Sequence, residues 1–130
     1  MINREIYTTA LRLIGENPDT SENSDYEDRA PYLLAAFCTE SAEIDTAYRE
    51  ANDLPPRTPV NNVSISLTGV FPCASRFTTA ASLYLAAMLV IDENIELSDK
   101  LFDRYCDTMA TIQSEIPAKI EKIAQQYGAF

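Results

Sequence analysis

Between Phe77 and Ile91 the chain carries no charged side chain, and apolar residues stand at every angle around the helix these residues would form. Leu83, Tyr84, Leu85, Met88, Leu89, Val90 and Ile91 leave no polar stripe to face water. A helix of that kind lies either at the centre of a bundle or inside a membrane. Roughly fifteen residues rise about 22 Å, short of the ~30 Å hydrocarbon core of a bilayer. Thr78, Thr79 and Ser82 lower the hydrophobicity further. The stretch therefore predicts a central helix over residues 75–92, and other amphipathic helices must cover it.

The flanking sequence supplies them. Ile6, Ala10, Leu13 and Ile14 recur at helical spacing over residues 2–14, with Asn3 placed to cap the start and Gly15 and Pro18 to end it. Residues 17–24 are polar and turn-rich. A second helix is predicted over residues 25–51, capped by Ser24 or Asp25, with Ala30, Leu33, Leu34, Phe37, Ile44, Ala47 and Tyr48 as its buried stripe. Pro31 either belongs to its first turn or kinks it. A last helix over residues 98–127, capped by Ser98, turns Leu101, Phe102, Tyr105, Met109 and Ile112 inward and continues through Ile116, Ile120 and Ile123. Pro117 bends or splits it and Gly128 ends it.

Residues 54–72 differ. Pro55, Pro56, Pro59 and Pro72 punctuate them, and charge vanishes after Arg57. Val63, Ile65 and Leu67 alternate with Ser64, Ser66 and Thr68, the two-residue period of a strand. Such a strand pairs either with a neighbouring run, through a turn at Asn61-Asn62, or with another chain. The predicted fold is mainly α: a single domain over residues 1–130, a four- to five-helix bundle with a short β-strand or hairpin insertion (55–72) between the second and third helices and a C-terminal helix and tail (117–130).

Twenty Asp and Glu oppose ten Lys and Arg, for a formal net charge of −10. Affinity for nucleic acid rests largely on Lys and Arg displacing phosphate counterions, so this chain should be repelled by DNA, RNA and anionic lipid. The charge either keeps the protein soluble or lines a passage through which DNA slides without sticking. Histidine is absent and only three glycines occur. Ser-His-Asp and Cys-His chemistry and glycine-rich phosphate loops are thereby excluded, and neither a catalytic residue nor a cofactor is expected. Cys38, Cys73 and Cys106 form no C-x-x-C and read as free thiols of a reducing compartment. The N-terminus lacks the pattern of a signal peptide. Asp92, Asn94 and Glu96 alternate as in a calcium loop, but Leu97 stands where that loop needs glycine and Asp103 where it needs glutamate, so an inter-helix turn is expected. Asp99, Asp103 and Asp107 share one helix face and read as a solvated surface, as do Glu40 and Glu43.

Several strings in order carry a resemblance: Ala10-Leu11-Arg12-Leu13-Ile14-Gly15-Glu16, then Asp25-Tyr26-Glu27-Asp28-Arg29-Ala30-Pro31-Tyr32-Leu33-Leu34, Phe71-Pro72 with Arg76-Phe77, Leu85-Ala86-Ala87-Met88-Leu89-Val90, Glu93-Asn94-Ile95-Glu96-Leu97-Ser98-Asp99 and Leu101-Phe102-Asp103-Arg104-Tyr105. Over nearly the whole chain this pattern of core and turn residues resembles the small head–tail connector (adaptor) proteins of tailed bacteriophages and prophages. The resemblance implies a virion protein of the neck, present in the host cytoplasm before assembly. It implies a ring of copies, commonly a dodecamer, beneath the portal protein, with tail or head-completion proteins as further partners. DNA would pass through without being bound specifically. It implies no catalytic residue.

On that reading Val63, Ile65, Leu67 and Val70 are the candidate contacts between neighbouring subunits, and Ile120, Ile123, Tyr127 and Phe130 the candidate contacts with the portal. The terminal aromatics either dock there or fold back onto the bundle. Two rivals remain at the level of sequence. One is an acidic DNA mimic or inhibitor that occupies a nucleic-acid-binding protein. The other is a carboxylate-dependent metal enzyme, which needs Asp92, Glu93, Asp99 or Asp103 to converge.

Overall fold

The uncharged stretch folds as the helix around which the others gather. The computed structural model describes residues 1–20, 23–57 and 59–126, with side chains described through residue 116. Its helices are α1 (Asn3–Leu13), α2 (Ser24–Glu40), α3 (Ala42–Ala51), α4 (Thr78–Val90) and α5 (Ile95–Gln126), with a 3-10 turn, Ser75–Phe77, leading into α4. α4 packs on α5, α1 and α2, while α3 packs on α5. From Ala80 to Val90 every residue of α4 except Met88 is buried. A helix buried on all sides cannot solvate its own ends, and Arg29 of α2 meets that need at one of them. Its guanidinium donates to the C-terminal carbonyls of Met88 at 3.0 Å and Leu89 at 3.5 Å, oxygens that a helix otherwise leaves unpaired.

Aromatic rings join the layers. Phe37 of α2 lies 6.3 Å from Phe71, 5.8 Å from Tyr84 of α4 and 6.2 Å from Tyr105 of α5, in stacked, tilted and edge-on geometries. Spacings of this kind favour aromatic pairs beyond their simple burial.

Several expectations are corrected. The predicted second helix is two helices that meet at Ser41, a buried residue whose hydroxyl lies 3.6 Å from Cys73 Sγ. Pro31 sits inside α2 rather than in its first turn. Asn3 is the first residue of α1, not its cap; the cap position is Ile2 and makes no side-chain bond. Ser98 lies within α5, where its buried hydroxyl donates to Ala87 O at 2.8 Å, and the capping acceptor is Asn94 Oδ1, 3.1 Å from Leu97 N. Phe102 is exposed, one position off the buried row of Leu101, Met109, Ile112 and Ile116. α5 runs unsplit past Pro117 to Gln126. The end of α1 follows expectation. Gly15 takes φ +79°, its N–H reaches Arg12 O, and Glu16 N reaches Leu11 O, the paired bonds of a Schellman motif.

The largest correction concerns the insertion. Among the described residues there is no strand, only an isolated antiparallel bridge between Ile2 and Val70. Gly69 N bonds Ser66 O and Thr68 N bonds Ser66 Oγ, closing the chain into a turn where a strand would stay extended. A Cβ at Gly69 would stand 3.3 Å from Ser66 O, so the turn closes most readily on glycine. The backbone carbonyls that a strand would have offered to a sheet serve α1 instead. Asn3 N donates to Gly69 O at 2.9 Å and Arg4 N to Leu67 O at 2.8 Å. Two orphan N–H groups of the first helical turn are thereby satisfied by the loop.

Candidate functional site

Segment 52–74, between α3 and the 3-10 turn, is held from beneath by a buried carboxylate. Asp45 of α3 is fully buried. Its Oδ1 accepts from Ala74 N at 3.0 Å and Arg49 Nε at 3.2 Å; its Oδ2 accepts from Arg57 Nη1 at 3.4 Å. The arginines carry the tie outward. Arg49 donates to Pro55 O at 2.7 Å and Pro72 O at 3.0 Å, and Arg57 donates to Cys38 O at 3.0 Å. One carboxylate thus fixes both ends of the segment to α2 and α3. Its oxygens are taken up by these donors and none faces solvent, so it serves as an anchor.

Two thiols complete the cluster. Cys38 and Cys73 are buried, whereas Cys106 is exposed. The Cys73 sulfur lies 3.6 Å from Arg57 Nη1 and 3.6 Å from Ser41 Oγ, and the Cys38 thiol interacts with it electrostatically. That interaction, with the Ser41 hydroxyl and the Arg57 charge behind it, holds Cys73 below the ordinary thiol range despite its burial. Cys38 is pushed well above it, by that same interaction first and by burial second.

Above the anchor the segment exposes apolar side chains. Val63 is 80% exposed and Val70 74% exposed. Val60 and Val63 also border a groove of about 500 Å³ whose other wall is α2, with Tyr32, Ala36 and Glu40 along it. A second groove, about 440 Å³, runs between Arg57, Pro59, Val70 and Pro72.

Of the expected subunit contacts, Val63 and Val70 face outward and Ile65 is half-buried. Leu67 is withdrawn from that set: it is 6% exposed and packs in the chain's own core, where the turn at Ser66–Gly69 directs it. Ile120 and Ile123 belong to α5, but their side chains lie outside the described residues, as do Tyr127, Gly128 and Phe130 altogether. Asp92, Glu93, Asp99 and Asp103 are all exposed, and among the described residues no three metal-ligating side chains come together. Glu93 accepts a hydrogen bond from Tyr26. No helix among the described residues is long and apolar enough to cross a membrane. The sequence reading missed Asp45, Arg49 and Arg57. A signal was present: an acid between the apolar positions Ile44 and Tyr48, an arginine one helical turn on, and Arg57 as the last charge before an uncharged run. Compared with known proteins, the chain matches no family model, no curated protein and no solved structure.

Proposed function

We propose that this chain is a structural assembly protein of the head–tail connector kind: copies dock side by side into a ring beneath a phage portal, in the neck of the virion, and join capsid to tail without catalysing a reaction. One observation carries the reading. A charge-free loop exposes Val63 and Val70 to water while Asp45 and two arginines tie its ends to α2 and α3. Apolar side chains exposed on an anchored loop gain little for a lone molecule. They suit a preformed contact surface, because a loop already ordered loses little entropy on binding. The two-residue alternation around Val63 then reads as a pattern for a neighbour rather than for a sheet within the chain. The far end of α5 and the residues beyond it would meet the portal, and the −10 charge suits a channel that lets DNA pass.

The test is mass in solution, by sedimentation and native mass spectrometry, alone and with the portal protein of a tailed phage or prophage. The expected result is a multimer, formed alone or on the portal, that is lost in the Val63→Asp/Val70→Asp double variant while the monomer melts as before. A chain that stays monomeric with the portal and shows no affinity for it overturns the reading.

A further inference from the structure

We propose that the groove beside segment 52–74 receives the turn between α4 and α5 of a second copy of this chain, so that copies join head to tail. The inference rests on the reading above, that copies dock through this loop, and names what the loop docks onto. Two surfaces of matched chemistry carry it. The groove of about 440 Å³ is lined by Val60, Val70, Phe71 and Pro72 together with Arg49 and Arg57. Both guanidinium groups pair with one carboxylate, Asp45, so the cluster holds one positive charge in excess. Among the described residues no carboxylate lines the groove, and Glu50, exposed beside the same arginines, makes an ion pair with neither. The turn has the opposite charge and is also apolar. Ile91-Asp92-Glu93-Asn94-Ile95-Glu96 is exposed throughout, Ile95 at 64% and Ile91 at 42%, and three carboxylates accompany the two isoleucines with no Lys or Arg among them. The turn is also held in shape. Glu93 accepts from the Tyr26 hydroxyl, Glu93 N and Asn94 N reach Val90 O at 3.0 and 2.9 Å, and Asn94 Oδ1 accepts from Leu97 N. A turn already ordered loses little entropy when it docks.

α2 sets the two surfaces at opposite ends of the bundle. Tyr26, near its start, bonds the turn, and Cys38, near its end, accepts from Arg57 through its carbonyl at 3.0 Å. The roughly twelve helical steps between them rise about 18 Å. Surfaces so placed cannot cover each other within one copy. When the turn of one copy fills the groove of the next, the pair still offers a groove at one end and a turn at the other. Such a heterologous contact adds further copies and closes into a ring where the rotation per copy allows. In it a carboxylate of the turn meets the excess positive charge, and Ile95 covers Val70, which otherwise stands in water. The charge pairing is short-range and partly buried, so salt screens it less than the repulsion between whole copies of charge −10.

The experiment uses two full-length variants, each of which loses one surface. Asp92→Lys/Ile95→Lys spoils the turn and keeps the groove; Val63→Asp/Val70→Asp spoils the groove and keeps the turn. All four positions are exposed, so each variant should melt as the wild type does. Native mass spectrometry and sedimentation weigh the wild type, each variant and their equimolar mixture at one total concentration, alone and with the portal protein. The wild type should form multimers and each variant by itself should stay a single 14.5 kDa chain. The mixture should give a pair with one copy of each variant that grows no further, because its last sound turn has met its last sound groove. Ile95→Ser, a change of one exposed side chain, should by itself weaken wild-type association several-fold. A turn variant that multimerises as the wild type does, or a mixture that adds nothing to the two variants weighed singly, overturns this inference and leaves the connector reading standing. A wild-type chain that stays single both alone and with the portal overturns the two together.

Discussion

Asp45 is a single carboxylate facing two guanidinium groups and a backbone N–H in a site closed to water. Removing one partner from such a group leaves the others buried without compensation. Asp45→Ala should therefore cost about 3–5 kcal/mol of stability, read by urea denaturation. Asp45→Asn keeps an acceptor for Ala74 N–H and should cost less. The tyrosines give a second handle. Burial, reinforced by nearby carboxylates, raises Tyr7 and Tyr105 from 10.0 to about 12, and Tyr26 and Tyr84 are raised for the same reason. The native state thus holds phenolic protons that the unfolded chain releases near pH 10. The stability this represents is complete below pH 10 and drains away as the pH climbs toward 12. Thermal melts at stepped pH should fall across that window, and the share of phenolate absorbance that comes from these four tyrosines should rise in step with unfolding rather than before it. Little of this was legible in the sequence beyond the spacing of Asp45, Arg49 and Arg57. A sequence names an aspartate but not the two arginines, four and twelve positions on, that make burying it tolerable.

The helices themselves were readable, because local period and burial agreed. α4 was found from its lack of charge, and α1 from its stripe and its terminating glycine. Gly15 has φ +79° with open space around its α-carbon, so Gly15→Ala introduces backbone strain and no clash. It should cost about 1–2 kcal/mol, and Gly15→Asn less, measured by chemical denaturation. Leu85 is fully buried in α4; Leu85→Ala should cost about 2–5 kcal/mol, the upper part of that range if the surrounding helices cannot close on the cavity. What failed at this scale was the strand and the caps, and one cause accounts for much of both. Loop 66–69 gives its carbonyls to the start of α1, a contact between segments more than sixty residues apart. Alternation at Val63, Ile65 and Leu67 does not by itself fix burial, for Leu67 is buried, Ile65 half-buried and Val63 exposed. Whether the backbone then pairs with a strand or caps a helix is decided by what lies opposite, and a window of local sequence does not contain it.

For the molecule as a whole, the −10 charge and the exposed apolar loop act in opposite directions on association. Like-charged copies repel, and the repulsion reaches about 10 Å at 0.1 M salt but only about 3 Å at 1 M. Burial of Val63 and Val70 between copies is insensitive to that screening. If copies dock through the loop, their association should strengthen as sodium chloride rises from 0.05 to 0.5 M, by sedimentation equilibrium at fixed protein concentration. A mimic of nucleic acid behaves in the reverse sense. Its hold on a basic partner is made of charge pairs and weakens with salt. The slope of association against salt therefore separates the two readings of one acidic chain whatever the partner is, and the Val63→Asp/Val70→Asp variant should abolish the rising slope while leaving the net repulsion in place.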